Sequence, residues 1–366
     1  MTQLTLFLCG DVMTGRGIDQ ILAHPSEPSI HEVCMRSATD YVRIAEEKSG
    51  SIPRPADPAY VWGDALGEFE RVRPDARIVN LETAVTCSGS WLDKGINYRM
   101  HPDNVGCLTA ARIDCCALAN NHVLDWGPAG LLETLDTLHA AGVKTTGAGR
   151  NRAEAAAPAV IGVGGRRRVL VFSFAAVTSG VPPDWAASEH APGVEVLADL
   201  APRRVDEIAV RIGAARRQGD LVIASIHWGG NWGYAVSRGE IEFAHGLIDR
   251  AGVDLVHGHS SHHPKAIELH AGKLILYGCG DLINDYEGIG GHETYRNDLG
   301  LMYFATLDVE RGKLQRLEMV AMQMKRFRLQ RAAPADVEWL RTVLGRESRR
   351  FGTSGARSAE HAIELH

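Results

Sequence analysis

Six short apolar runs, each stopping at a polar loop, set the pattern of this chain. They are Leu4–Leu8, Ala76–Val79, Asp114–Leu118, Leu221–Ile226, Val253–Val256 and Lys273–Tyr277. Near-continuous runs of this length predict strands buried on both faces. Between them the spacing shifts to that of amphipathic helices, over Gly127–Ala141, Leu200–Gln218 and Glu240–Ala251. The alternation predicts an α/β layered fold.

The residues that end each run carry more information than the runs. They include Asp11, Asn80 and Glu82, Asn120 to His122, His227, His257 and His259, and Asp281. In α/β sheets the ligand crevice lies outside the carboxyl ends of the strands, so these groups are expected to converge on one edge. Any one of them alone reads as a loop residue or a helix cap. Six strand ends together read as a site.

Two regions read as additions. Residues 15–60 carry a helical pattern at Ile18–His24, another at Ile30–Glu47, and a Pro-rich stretch from Ile52, so an ordered excursion walling the crevice is expected. Ala333–Gly352 reads as a C-terminal helix, with Pro334 suited to its first turn and Arg341 to Arg350 along its later turns. The final dozen residues are expected to fray. The chain thus divides into a main domain, residues 1–325, and a C-terminal helix and tail, residues 326–366.

Composition narrows the classes. With 45% hydrophobic and 23% charged residues over 366 positions, the chain is globular rather than disordered. Lys+Arg 39 against Asp+Glu 45 gives a net charge of −6, which opposes a nucleic-acid partner, since that needs a basic face. Seven cysteines, with Cys115 and Cys116 adjacent, suit a reduced, cytoplasmic protein. No run approaches the ~20 apolar residues of a membrane span. The opening residues lack a basic start and are interrupted by Asp11, so neither a signal sequence nor a membrane anchor is expected.

His227, His257, His259, His262 and His263, with Asp11, Glu82 and Asn121, offer mixed nitrogen and oxygen donors of the kind that suit Mn, Fe, Zn or similar ions. A structural zinc knuckle is disfavoured, because no Cys-x-x-Cys pair is present. Trp91, Trp228 and Trp232 could wall a substrate pocket or pack loops, and packing is the better reading for Trp126. Arg99 and Arg16 could clamp a carboxylate or pair with structural acids. The glycine-containing loop from Asp281 to Asp298 could fold over a pocket with His292 at its tip.

Several stretches occur in a telling order: Gly10-Asp11-Val12-Met13, Asn80-Leu81-Glu82, Ala119 to Gly127 with Asn121, His122 and Asp125, His227-Trp228-Gly229, and Gly258 to His262. Asn97-Tyr98-Arg99, Gly147-Ala148-Gly149 and Tyr277 to Asp281 extend the set. From about residue 4 to about residue 310 the chain resembles the CapA family of poly-γ-glutamate capsule synthesis, a branch with the calcineurin-like metallophosphatase fold. The resemblance implies a β-sandwich of two mixed sheets flanked by helices, with one or two divalent ions (Mn, Zn, Fe, Mg or Ca) at the strand ends. Carried over by position, it gives Asp11 to a first metal, Glu82 to a bridging place, and Asn121 and His227 to a second metal. His259 and His262 would divide between the two. His122 would act as an acid/base group and Asp125 would orient it, although a helical i, i+3 contact or a cap explains Asp125 equally well.

The departures bear on function. Phosphoesterases of this fold carry His where this chain has Met13, and Asp where it has Glu82; the last motif also has one residue more between its histidines. Loss of an imidazole at position 13 leaves one metal position short unless His257 or His263 fills it, and points away from phosphatase chemistry. The branch includes epimerases of lasso-peptide precursors. The leading expectation is therefore Cα epimerisation of a ribosomal peptide, with Asp11 and His292 as the proton-transfer pair and a metal or Arg99 steadying the carbonyl oxygen. A metal-dependent hydrolase of an amide (poly-γ-glutamate) or phosphoester, and a non-enzymatic subunit of capsule synthesis, are the alternatives. A peptide is the expected partner in the first.

Overall fold

A computed structural model describes residues 3–165, 167–353, 357–359 and 362–365. Each of the six apolar runs overlaps a strand: Gln3–Val12, Ala76–Leu81, Cys115–Ala117, Leu221–His227, Leu255–His259 and Lys273–Leu276. They fall into two mixed sheets, of ten and seven strands among the described residues. In the first, Leu314–Lys325, Leu299–Asp308, Gln3–Val12, Ala76–Leu81, Cys115–Ala117 and Lys144–Thr146 lie side by side in that order. The second runs from Val196–Leu197 through Arg167–Ala176, Leu221–His227, Leu255–His259 and Lys273–Leu276 to Ile267–His270.

Alternation along each strand builds the layers, because successive side chains point to opposite faces. Leu4, Leu6 and Leu8 share one buried cluster with Val169, Val171, Ile223 and Leu255, the core between the sheets. Phe7 and Cys9 face the other way, onto Val42, Phe69 and Leu135 of the helices Ala38–Ser49, Ala65–Val72 and Gly127–Ala140. Leu170, Phe172 and Phe174 face the helices Pro202–Ala215 and Arg238–Asp249 through Ile208, Ile212 and Phe243. Both sheets are thus covered on both sides, and each fully buried aliphatic side chain contributes about 1.5–3 kcal/mol.

Three local expectations need correction. The Ile18–His24 pattern is only a 3-10 turn, Asp19–Ile21. Ile30–Glu47 becomes the helix Ala38–Ser49: Ser29 and Ser37 form a β-bridge, and Ser37 then caps the helix by accepting a bond from the Thr39 N–H. Apolar spacing placed that start too early because Glu32, inside the pattern, is instead drawn to Arg16, whose Nη1 lies 2.9 Å from Glu32 Oε1. In the final dozen residues, Ala362–Leu365 is an antiparallel strand on Leu314–Lys325, held by the fully buried Ile363. The C-terminal helix, Pro334–Ser348, begins with proline in its first turn as expected, and its Val337, Leu340 and Leu344 join the inter-sheet core. All seven cysteines are free. No helix among the described residues is long and apolar enough to cross a membrane.

Candidate metal centre

The first strand, Gln3–Val12, changes partners just before it ends. Leu299–Asp308 pairs with it through Leu8, and from Asp11 onward Asp281–Ile283 takes over in parallel, setting Asp11 beside Asp281. Both aspartates follow the same Cys-Gly pair, Cys9-Gly10 and Cys279-Gly280. A Cβ on Gly10 would stand 1.7 Å from the Gly280 carbonyl oxygen, so only glycine lets the two backbones approach. On the other flank Asp11 is level with Asn80. The second sheet delivers its histidines by register: Ser225 lies beside His257, and His227 beside His259.

These side chains meet in a buried cluster. Asn80 Nδ2 donates to Asp11 Oδ1 over 2.7 Å and Asn120 Nδ2 to Asn80 Oδ1 over 3.1 Å, which fixes the first carboxylate. His227 Nδ1 and His259 Nδ1 face each other at 2.9 Å, while His227 Nε2 lies 3.0 Å from Asn121 Oδ1. Ser225 Oγ links His259 Nε2, at 2.9 Å, to His257 Nδ1, at 3.1 Å, and His257 Nε2 donates to the Cys9 carbonyl. His262 Nδ1 is 2.9 Å from Asp281 Oδ1.

Two groups of donors emerge, Asp11 with His227 and His259, and Asp11 with His262 and Asp281, each with its ligand atoms within 4.8 Å of one another. Asp11 belongs to both. Its Oδ2 is buried without a hydrogen-bond partner among the described residues, a costly state that a cation would relieve. Neutral imidazole and carboxylate are also the donors that Zn, Mn or Fe takes. The residues therefore fit one or two divalent ions.

Burial dominates the electrostatics. It pushes the Asp11 carboxyl up to about 7, reinforced by Asp281 and opposed by Glu82 and His262. Glu82, buried beside Asp11, is also raised well above its ordinary range. Burial holds His227 and His259 well below the usual histidine value, keeping both in the neutral form that ligates metal. His262 goes the other way: burial opposes its charge, but Asp281 and Asp11 raise it.

His122 stands beside this centre. Its Nδ1 is 2.7 Å from Asp125 Oδ2, which also accepts the Tyr98 N–H, while Lys94 Nζ donates to Asp125 Oδ1 over 2.7 Å. His122 Nε2 and His227 Nε2 lie 3.8 Å and 3.9 Å from Glu82 Oε1. Burial lowers His122 to about 4, so its ring is neutral at physiological pH. The contact of Asp125 is thus a buried i, i+3 bond to an imidazole.

Other expected site residues lie elsewhere or do other work. His292 stacks on Trp232 with ring centroids 3.8 Å apart, and Trp232 in turn lies 5.3 Å from His262, so His292 belongs to an aromatic wall beside the donor cluster. Arg99 donates to the carbonyls of Ser88 and Glu27 and stacks on Trp126, leaving no free fork for a substrate. Arg16 is buried against Asp285, Glu32 and Tyr41. Trp228 belongs to the core of the second sheet, its Nε1 donating to Tyr277 O over 2.9 Å. Trp91 is partly exposed and stacks on His31 at 3.8 Å. Met13 is buried, with its sulfur 3.6 Å from Tyr286 Oη, and neither His257 nor His263 fills the place of the missing imidazole. Asp281 joins Asp11 and His262 in the second donor group. The repeated Cys-Gly-Asp could have revealed it; nothing comparable marked Lys94.

The family described as "Bacterial capsule synthesis protein PGA_cap" matches residues 5–286. The chain belongs to this family. A "Probable polyglutamine synthesis accessory protein" of Mycobacterium tuberculosis is 50% identical over 364 residues, covering 99% of this chain and 96% of that protein. The "Capsule biosynthesis protein CapA" of Bacillus anthracis is 23% identical over 284 residues, covering 77% of this chain and 60% of that protein. Among solved structures, one titled as a novel phosphatase of Mycoplasma pneumoniae covers 88% of this chain and 94% of its own at 11% identity and a TM-score of 0.46.

Proposed function

We propose that this family member is a metal-dependent hydrolase that cleaves an amide bond in a glutamate-rich peptide or polymer. The carrying observation is the carboxylate of Asp11, shared between two buried donor groups, with the His122–Asp125 pair alongside. When bound, divalent ions supply Lewis acidity and lower the pKa of water. Asp11, His227, His259, His262 and Asp281 would hold them, and Asn121 and Glu82 stand close enough to complete the set.

The chain's own groups supply the proton transfers. Asp125 takes the Nδ1–H of His122, which leaves Nε2 as the basic nitrogen. A neutral imidazole held this way takes a proton from the attacking water and returns it to the departing amine, so amide cleavage balances. Lys94 pins Asp125 and keeps the pair oriented. The substrate class rests on the capsule and polyglutamine names of the relatives. Hydrolysis is preferred to epimerisation because the His122–Asp125 pair stands beside the donor groups as a positioned acid/base, and Asp281 adds a carboxylate to Asp11 and His262.

The test is to incubate chelator-treated, metal-reloaded protein with poly-γ-glutamate in heavy water. New amino termini that vanish in Asp11→Ala support hydrolysis. Deuterium at Cα without chain cleavage would overturn it in favour of epimerisation. Polymer that binds the loaded protein but stays intact and unexchanged would overturn it in favour of an accessory role.

A further inference from the structure

A second group of metal-type donors lies far from this centre. His270 is level with Lys273, and Leu274 with Leu255, so His270 sits at the height of Asp254, five residues upstream of His259. At about 3.3 Å per residue that is about 17 Å along the strands, toward the opposite end of the sheet. There the helix Arg238–Asp249 meets the edge strand Ile267–His270 through His245 against Glu268 and Asp249 against His270. His245 from the helix, and Glu268 and His270 from the strand, bring one ligand atom each within 4.8 Å of the others.

We propose that His245, Glu268 and His270 form an independent site for a zinc-type divalent ion, with Asp249 as a fourth donor. His245 Nε2 is 2.8 Å from Glu268 Oε1, and His270 Nε2 is 2.9 Å from both oxygens of Asp249. Two imidazoles and two carboxylates are a donor set that tetrahedral zinc accepts. Ligands at about 2.0–2.2 Å from one ion stand up to about 4 Å apart, so the group needs to close by only about 1 Å. The two imidazole rings are stacked, 3.8 Å apart and inclined by 10°, so one ring must turn for both nitrogens to face a single ion. The second oxygen of Glu268 accepts the Tyr277 hydroxyl at 2.7 Å, an outer contact that fixes the carboxylate as metal sites require. His245 and His270 keep side-chain exposures of 30% and 25%, which leaves an entry path from solvent. An ion there would clamp the helix end to the edge strand.

The site is tested on the full chain, chelator-treated and titrated with zinc, with bound metal counted by elemental analysis after dialysis. Wild type is expected to bind one equivalent more than the His245→Ala, His270→Ala double variant. An Asp11→Ala variant should keep that equivalent. Equal stoichiometry in wild type and double variant overturns the proposal, as does loss of this equivalent in Asp11→Ala. Should the double variant misfold, His270→Gln, which retains an amide donor toward Asp249, is titrated instead. A fall of tenfold or more in affinity at one site supports the proposal, and unchanged affinity overturns it.

Discussion

Gly10→Ala tests the geometry that brings Asp11 and Asp281 together. The added Cβ would meet Gly280 O at 1.7 Å and the Gly280 carbonyl carbon at 2.8 Å, both backbone atoms. Carbon and carbonyl oxygen rest at about 3.3–3.6 Å, so the strands must part by roughly 1.6 Å or more. That separation stretches the Asp11 N–H bond to Gly280 O, which is 3.0 Å long. Overpacking a tight site costs about 1–3 kcal/mol, and a clash of backbone with backbone belongs at the upper end, since no side chain can swing away. The expected outcome is a loss of about 3 kcal/mol in urea unfolding, together with loss of metal from the group containing Asp281. Gly162→Ala is the control, because its Cβ meets nothing within 4 Å. The reasoning fails if Gly10→Ala unfolds within about 0.5 kcal/mol of wild type, the usual range for surface substitutions, and keeps its full metal content.

Four further outcomes are expected. Arg16→Met leaves Asp285 and Glu32 buried without their cation, which should cost about 3–5 kcal/mol in chemical unfolding; adding Asp285→Asn should restore part of it. Asp125→Asn should lower the turnover number by about 10²–10⁴-fold with metal content unchanged, because His122 loses the acceptor that fixes its tautomer. Burial opposes the charge on Glu68, but Arg71 and Arg331 outweigh it and hold the carboxyl below its ordinary value. A lowered acid stabilises the fold above the ordinary glutamate range and loses that contribution as pH falls through the lower folded value, so Glu68→Gln should flatten the acid limb of a stability–pH curve. Chelator should lower the melting temperature of wild type by more than that of Asp11→Ala, which lacks the shared carboxylate, since an ion held only by the folded state stabilises it by mass action.

The strands were legible because their apolar runs, each buried on two faces, carry a signal that needs no tertiary context. The strand-end groups were legible for a related reason: polar residues placed regularly after such runs have few structural explanations. Ile30–Glu47 misled because a helical apolar spacing survived in a segment whose Glu32 is held by a distant arginine. Trp228 misled because adjacency to His227 in sequence says nothing about direction; the next side chain along points away, into the core. Asp281 was placed at a strand end but given no ligand's role, although it repeats the Cys-Gly-Asp of Asp11, and Lys94 was missed because no local pattern marks it. One arrives by a parallel pairing 270 residues from Asp11 in sequence, and the other by a loop that folds back onto Asp125.

The cluster also explains why the two sheets must meet where they do. Asp11, Glu82 and Asp281 are three carboxyl groups buried within one region, and the neighbouring His227 and His259 are held neutral. Burial raises the carboxyls of Asp11 and Glu82, so each favours its protonated form more than an exposed carboxyl does. Divalent ions would displace those protons, so metal affinity and pH are linked at this site. Asp125 is paired directly with Lys94. His122 therefore keeps an orienting carboxylate whose charge is already compensated, and its neutral ring can exchange a proton while the ions hold the remaining charge. Carboxylates from one sheet and imidazoles from the other are both needed, which places the chemistry at the shared edge of the sandwich rather than within either sheet.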